Sequence, residues 1–162
     1  MMNTYIKSLI ENIPPEQVVS NTGNVTKLDL VLDGGAFNGM FMIGSLIYIK
    51  ELEDQNKIII DRISGCSIGA FLGAMYLLNR IDLAKELTVM CITKIRKHQD
   101  LKQMMKVVKH RLCSYITESD VTSYNNRFYL TYFDTNKGKQ IIKKKYDSLE
   151  DLVDSIIKSM YV

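Results

Sequence analysis

The chain has 162 residues, 46% of them hydrophobic, and a formal net charge of +3 at pH 7. This length and composition predict one domain with a sizeable core, exclude a disordered chain, and give no argument for a nucleic-acid partner. Three cysteines without CxxC spacing, no signal peptide at the start and no apolar run long enough for a bilayer predict a cytoplasmic protein, with membrane contact that can only be peripheral.

The first predicted element is a helical arm. Apolar residues recur at helical spacing over residues 4–13, and Pro14-Pro15 ends that segment. A polar linker then leads to an alternating run over residues 28–32, which predicts a strand. We assign residues 1–27 to an N-terminal helical arm and linker, and residues 28–162 to the main domain.

Two units of strand, turn and helix follow. In the first, the strand runs into Gly34-Gly35-Ala36 and a helix over residues 40–55. In the second, a β-branched strand over residues 58–63 runs into Gly65-Cys66-Ser67-Ile68-Gly69 and a helix that ends near residue 78. Because crossovers between parallel strands are right-handed and such strands often lie adjacent, we expect both turns at the same edge of one sheet.

The rest of the chain predicts helices around one hairpin. Residues 82–112 are helical by pattern, in two pieces around Gln99-Asp100. Strands over residues 128–133 and 140–146 flank a turn that contains Gly138. A last helix starts near Ser148, with Asp151 at the capping-box position. The fold class is therefore α/β with a mainly parallel sheet.

The second turn fits the G-x-S-x-G nucleophile elbow, in which a sharp strand-to-helix turn exposes the serine hydroxyl. Gly65 and Gly69 would remove side chains that clash at such a turn. Ser67 is therefore the candidate nucleophile. Its neighbour Cys66 could be mistaken for a catalytic thiol, but the elbow exposes Ser67, and we assign Cys66 to packing.

The first turn is a candidate oxyanion hole. The free N–H groups of Gly34, Gly35 and Ala36, at the start of a helix, could stabilise the negative charge on an ester oxygen when Ser67 attacks its carbonyl carbon. The alternative is the phosphate-binding turn of a nucleotide-binding domain. However, the turn has no P-loop lysine, and it breaks the G-x-G-x-x-G order because Gly34 and Gly35 are adjacent.

Together these motifs resemble those of the patatin-like phospholipase family. Residues 34–39, followed by Gly44 and Leu46, are similar to that family's G-G-G-x-[RK]-G loop and G-x-L, and the segment around Ser67 is similar to its elbow. The resemblance covers roughly residues 28–162. It implies a three-layer α/β/α domain that cleaves lipid acyl esters through an acyl-serine intermediate, with no metal or organic cofactor.

The chain departs from the family pattern in the loop. Ala36 stands at the third glycine, although it can still donate its N–H, and Asn38 stands where the family usually has arginine or lysine. Gly39 keeps the last glycine of the loop. The loss of the basic side chain predicts a weaker hold on an anionic head group.

A further departure concerns the base. The resemblance implies a catalytic aspartate in a later D-G-[GA] motif, and the only Asp-Gly here is Asp33-Gly34. We therefore expect a C-terminally incomplete domain in which the catalytic aspartate is not present. We also expect the last helix to have an uncovered apolar side, formed by Leu152, Val153, Ile156 and Ile157.

Without a positioned base a serine hydroxyl is a poor nucleophile. Asp134 is explained by turn chemistry, and His98 and His110 lie in a Lys/Arg-rich helical region typical of solvated surface. The alternative to a hydrolase is therefore a catalytically silent lipid-binding or interaction module with the same fold.

Two surfaces could serve a lipid. The basic face of residues 94–111, with Asp100 as its one acid, could adsorb to anionic lipid at about 1 kcal/mol per basic residue, although such charge runs are commonly plain solvated surface. Met40, Phe41 and Met42 could line an acyl-chain pocket, but the more ordinary role is core packing. The basic face consists of Lys94, Arg96, Lys97, Lys102, Lys106, Lys109 and Arg111.

Overall fold

A computed structural model describes residues 7–8, 10–11, 25–98 and 100–161. Residues 7, 8, 10 and 11 have helical backbone, and the rest of the predicted arm lies outside the described residues. From residue 25 onward the described chain forms four strands and six α-helices. They are β1 (Thr26–Leu32), α1 (Gly39–Asp54), β2 (Ile58–Cys66), α2 (Ile68–Leu77), α3 (Ile81–His98), α4 (Leu101–Tyr115), α5 (Glu118–Tyr124), β3 (Phe128–Asp134), β4 (Lys139–Lys143) and α6 (Leu149–Met160).

All four strands belong to one sheet with the order β1-β2-β3-β4. The pairs β1 with β2 and β2 with β3 are parallel, and β3 with β4 is antiparallel. The predicted α/β fold with a mainly parallel sheet is therefore confirmed. Because β1 and β2 are parallel neighbours, the turns that follow them leave the sheet at the same edge.

The hairpin and the last helix begin and end close to the predicted positions. Asp134 Oδ1 accepts hydrogen bonds from the backbone N–H groups of Asn136 and Lys137, both at 3.1 Å. This local bonding confirms the turn chemistry predicted for Asp134. At the start of α6, Ser148 Oγ accepts from the N–H of Asp151 at 3.2 Å.

The short helix α5 is missing from the sequence analysis. A capping box begins it, in which Asp120 Oδ2 accepts from the N–H of Thr117 at 2.8 Å. The helix buries Tyr124, whose hydroxyl donates to the carbonyl of Ala74 at 2.9 Å. The capping signal was visible in the sequence, but seven residues are too few to give a helical periodicity.

Helix α2 lies at the centre of the helical layer, and every residue from Ile68 to Tyr76 is buried. Gly73 allows α2 to lie close to the sheet, since an added Cβ there would stand 2.9 Å from Ile63 Cγ2 and 3.1 Å from Phe128 Cε2. The first residue after β2 is Ser67, so this tight packing also fixes where the candidate nucleophile leaves the sheet.

The apolar side of α6 is covered, so the prediction that it would be exposed is wrong. Helix α6 packs against α2, α4 and β3, and this contact excludes water from its apolar stripe. The buried residues are Leu152, Val153, Ile156 and Ile157.

Exposed apolar surface occurs instead on one face of the sheet. Strand register places the exposed apolar side chains of the four strands on one face. Leu32, Ile63 and Phe128, which pack near α2, lie on the opposite face. The described residues thus supply the sheet and one of the two predicted helical layers. The exposed residues on this face include Val31, Ile59, Phe133 and Ile142.

Candidate active site

Ser67 forms the turn between β2 and α2. Its backbone has φ +52° and ψ −125°, a region that costs a non-glycine residue about 1–3 kcal/mol. The first turn of α2 holds one side of this residue, because the Ser67 carbonyl accepts from the N–H groups of Ala70 at 3.0 Å and Phe71 at 3.3 Å. The chain therefore has the sharp strand-to-helix turn that the G-x-S-x-G pattern predicts.

Gly65 and Gly69 allow backbone segments to meet around this turn. An added Cβ at Gly65 would stand 2.6 Å from the carbonyl carbon and oxygen of Gly69. One at Gly69 would stand 2.3 Å from the Leu32 carbonyl oxygen and 2.6 Å from that of Asp33. Because all these atoms belong to the backbone, neither position accepts a side chain unless the chain moves.

The glycine loop after β1 lies directly against the elbow. An added Cβ at Gly34 would be 3.6 Å from Ser67 Cβ and 3.5 Å from Cys66 Sγ, which are ordinary contact distances. At the other end of the loop, an added Cβ at Gly39 would stand 2.5 Å from Ile68 Cγ1. The fold thus brings together the two motifs that the sequence analysis placed at one sheet edge.

The three predicted oxyanion donors differ in their hydrogen bonds. The Gly34 N–H donates to Asp33 Oδ1 at 2.7 Å. The N–H groups of Gly35 and Ala36 make no hydrogen bond to any part of the chain that the structure describes. Two of the three donors are therefore open to a ligand, and the third is engaged by the neighbouring carboxylate.

The loop holds its donors in an unusual backbone conformation. Gly35 has φ +144°, which glycine alone adopts readily, and Ala36 has φ +46° in the left-handed region. Asn38 is exposed, and its N–H donates to the Gly35 carbonyl at 2.9 Å. Ala36 thus stands where the loop geometry favours the third glycine that this sequence lacks.

Asp33 joins the loop to the residue before the nucleophile. Its Oδ1 lies 3.6 Å from Cys66 Sγ. Burial raises the pKa of the Cys66 thiol, and the hydrogen bond to Asp33 raises it further, while the N–H of Gly34 lowers it. A thiol with a raised pKa stays protonated at neutral pH and is a poor nucleophile, which agrees with the assignment of Cys66 to packing.

Ser159 also contacts the elbow, and the sequence analysis missed it. Its Oγ accepts from the Ser67 N–H at 2.9 Å and donates to the Thr131 carbonyl at 2.6 Å. Ser159 is buried near the end of α6. The available signal was a serine at an otherwise apolar stripe position, with Ser155 one turn earlier.

Neither Asp134 nor His110, two of the candidate bases, makes a hydrogen bond to Ser67 Oγ. Asp134 lies in the hairpin turn, His110 is exposed on α4, and the side chain of His98 falls outside the described residues. Within the described ranges, no side chain makes a hydrogen bond to Ser67 Oγ.

The two surfaces that could contact lipid are residues 40–42 and the basic face of residues 94–111, and the first agrees only in part with the predicted core packing. Phe41 is 81% exposed at the start of α1, so core packing is wrong for this residue, whereas Met40 and Met42 are partly buried against the core. On the basic face, Lys109 Nζ forms an ion pair with Asp154 Oδ1 at 2.6 Å. The exposed members of the face whose side chains are described are Lys94, Lys102, Lys106 and Arg111.

The described part of the chain contains neither a membrane-spanning helix nor a cluster of metal-binding side chains. None of its helices is both long and apolar enough to cross a membrane. No group of three or more His, Cys, Asp or Glu side chains there is placed to hold a metal ion.

The sequence model of the family described as patatin-like phospholipase matches residues 30–156. This range includes the glycine loop, the elbow and most of α6, while Ser159 lies just beyond it. Comparison with curated proteins gives no match.

Proposed function

This chain belongs to the patatin-like phospholipase family, a family of hydrolases that act on lipids, and on this premise we propose that it cleaves lipid acyl esters through an acyl-serine intermediate at Ser67. The observation that carries the proposal is the contact between two motifs. A strained, partly exposed serine lies against a loop with two open N–H donors, Gly35 and Ala36.

The reaction follows from this arrangement. Ser67 Oγ attacks the ester carbonyl carbon while its proton passes to a base, and the N–H groups of Gly35 and Ala36 stabilise the negative oxygen. The bond to the alcohol then breaks, the alcohol leaves with a proton, and the acyl group stays on Ser67. Water next attacks the acyl-serine, which releases the fatty acid and restores the hydroxyl.

A serine-directed fluorophosphonate probe and a short-chain nitrophenyl ester test this proposal on the purified protein. We expect labelling and slow turnover that disappear in Ser67→Ala and persist in Ser64→Ala, a control serine in β2, because no described side chain makes a hydrogen bond that would activate the Ser67 hydroxyl. Mass spectrometry of the labelled peptide identifies the modified residue. Labelling that persists in Ser67→Ala would refute the assignment of the nucleophile.

A second candidate function is lipid binding without turnover. It is favoured by the observation that no described side chain hydrogen bonds to Ser67 Oγ, because an unactivated serine hydroxyl is a poor nucleophile. The same experiment separates the two functions. Saturable binding to lipid vesicles together with no probe labelling at Ser67 would support the binding module.

We also propose that the protein meets its lipid at a membrane surface through the basic face. Lys102 and Lys106 are exposed one turn apart on α4, and exposed charges attract anionic lipid over about 10 Å at 0.1 M salt. Cosedimentation with anionic vesicles should weaken with salt and in Lys102→Glu/Lys106→Glu. The control Lys85→Glu changes an exposed lysine outside the face, and an equal effect there would contradict the proposal.

A further inference from the structure

Ser159 makes a hydrogen bond between the last helix and the backbone of the candidate nucleophile. Its hydroxyl accepts from the Ser67 N–H at 2.9 Å and donates to the Thr131 carbonyl at 2.6 Å. The side chain is buried. One hydroxyl therefore satisfies a backbone donor and a backbone acceptor that belong to different strands or turns.

The position of this hydroxyl is the end of the ladder between β2 and β3. The last paired residues of these parallel strands are Cys66 and Thr131. Beyond them the chain turns at Ser67 into α2, so the sheet offers no further partner to the Ser67 N–H. Ser159 supplies that partner from α6, and its own hydroxyl donates a hydrogen bond to the Thr131 carbonyl on the neighbouring strand.

This bond fixes one of the two peptide planes that meet at the nucleophile. The plane before Ser67 contains its N–H, which Ser159 holds. The plane after Ser67 contains its carbonyl, which the first turn of α2 holds through Ala70 and Phe71. Two fixed planes determine φ and ψ at the residue between them, and therefore the direction of its Cα–Cβ bond.

The conformation held in this way is not one that serine adopts freely. At φ +52° and ψ −125°, Ser67 keeps its geometry only when surrounding contacts over-determine it. With the hydroxyl removed, the Ser67 N–H and the Thr131 carbonyl both lose their partner. The plane before Ser67 is then free to rotate toward a relaxed conformation, which turns Oγ away from the loop of Gly35 and Ala36.

We infer that Ser159 is a positioning residue that sets the direction of Ser67 Oγ for attack; this inference rests on the proposed function of Ser67. It does not touch the substrate and acts only through the Ser67 backbone. Removal of its hydroxyl should therefore slow the acylation step and leave substrate affinity nearly unchanged.

Ser155 provides a matched control in the same helix. It lies one turn earlier, it is also buried, and its hydroxyl donates to the Asp151 carbonyl inside the helix at 2.6 Å. Ser155→Ala therefore removes a buried hydroxyl from the same face of α6 without changing any bond to the elbow.

The kinetic test compares Ser159→Ala with Ser155→Ala in nitrophenyl ester hydrolysis. We expect Ser159→Ala to lower kcat about 10- to 100-fold, because small misplacements of a reacting group have effects of this size. KM should change by no more than about twofold, since binding of the ground state is not altered. Ser155→Ala should keep the wild-type kcat, and an equal kcat in the two variants would overturn the inference.

A second pair of variants protects the test against simple loss of folding. Ser159→Thr and Ser159→Val have the same shape, and only threonine keeps the hydroxyl. Thermal unfolding checks that both are folded. We expect threonine to retain a much larger kcat than valine, and the same kcat in both would also overturn the inference.

Amide hydrogen exchange at Ser67, followed by NMR, does not depend on catalysis. Exchange should speed up by about tenfold or more in Ser159→Ala and stay at the wild-type rate in Ser155→Ala, since an amide exchanges when its hydrogen bond opens. An unchanged rate in Ser159→Ala would overturn the inference. Absence of Ser67-dependent turnover in the wild-type protein would instead refute the proposed function, and the exchange experiment would still decide the role of Ser159.

Discussion

Replacement of Gly69 by alanine should force helix α2 away from β1. The added Cβ would stand 2.3 Å from the Leu32 carbonyl oxygen, well inside the 3.0 Å below which such contacts essentially never occur. The opposing atoms are backbone, so no side-chain rotation relieves the clash. Gly44, also in a helix, has nothing within 4 Å of an added Cβ, and Gly44→Ala is therefore the matched control.

The expected changes in thermal stability follow from the different surroundings of Gly44 and Gly69. Alanine in a helix is favoured over glycine by about 1 kcal/mol, which Gly44→Ala should gain in full. At Gly69 the same gain is set against an overpacking cost of about 1–3 kcal/mol, and backbone contacts favour the upper end or more. With about 2–4 °C per kcal/mol for a domain of this size, the thermal midpoint should rise by about 2–4 °C in Gly44→Ala and fall by about 4–8 °C in Gly69→Ala.

Ester hydrolysis should also differ between Gly69→Ala and Gly44→Ala. The contact of Gly69 with Leu32 and Asp33 sets the distance between the elbow and the glycine loop, so its expansion misplaces Gly35 and Ala36 relative to Ser67. We expect turnover of a nitrophenyl ester to fall about 100-fold in Gly69→Ala at a temperature where it is folded. Circular dichroism supplies the thermal midpoints. A Gly69→Ala protein with the midpoint and turnover of Gly44→Ala would refute this reasoning.

Two further predictions concern the glycine loop. Ala36→Gly should relieve about 1–2 kcal/mol of left-handed strain at φ +46° and lose about 0.4–1 kcal/mol through greater freedom of the unfolded chain. The free energy of unfolding in urea should therefore rise by up to about 1.6 kcal/mol, and a fall would contradict the strain. Asp33→Asn should lower the pKa of Cys66, because the negative charge that helps burial to raise it is removed and the remaining amide oxygen is a weaker acceptor than a carboxylate, so alkylation by iodoacetamide should reach half its maximal rate at a lower pH. Exposed Cys113 is the internal reference, and an unchanged Cys66 profile would show that burial alone raises its pKa.

The elbow and the glycine loop were predictable because local rules determine them. Gly65 and Gly69 stand where the backbone must pass within contact distance of itself, and a short motif expresses that requirement. Adjacency of the two turns followed from the right-handed crossover between parallel strands. Neither prediction needed information about distant parts of the chain.

Features that depend on how distant elements pack were not predictable. The helical stripe of α6 was correctly identified, but its partner was not, and the expected exposure of Leu152 and its neighbours was wrong. The hydrogen bond from Ser67 to Ser159 joins residues 92 positions apart. It depends on the position of α6 along β3, which no local sequence pattern specifies.

Three restraints therefore hold Ser67, the candidate nucleophile. Gly69 presses the start of α2 against β1, the first turn of α2 holds the Ser67 carbonyl, and Ser159 holds the Ser67 N–H from α6. The first two restraints arise within the βαβ unit that contains both motifs. The third requires the hairpin and α6 to be folded, so the strained geometry of Ser67 should form only after β3 and α6 have docked on β2 and α2.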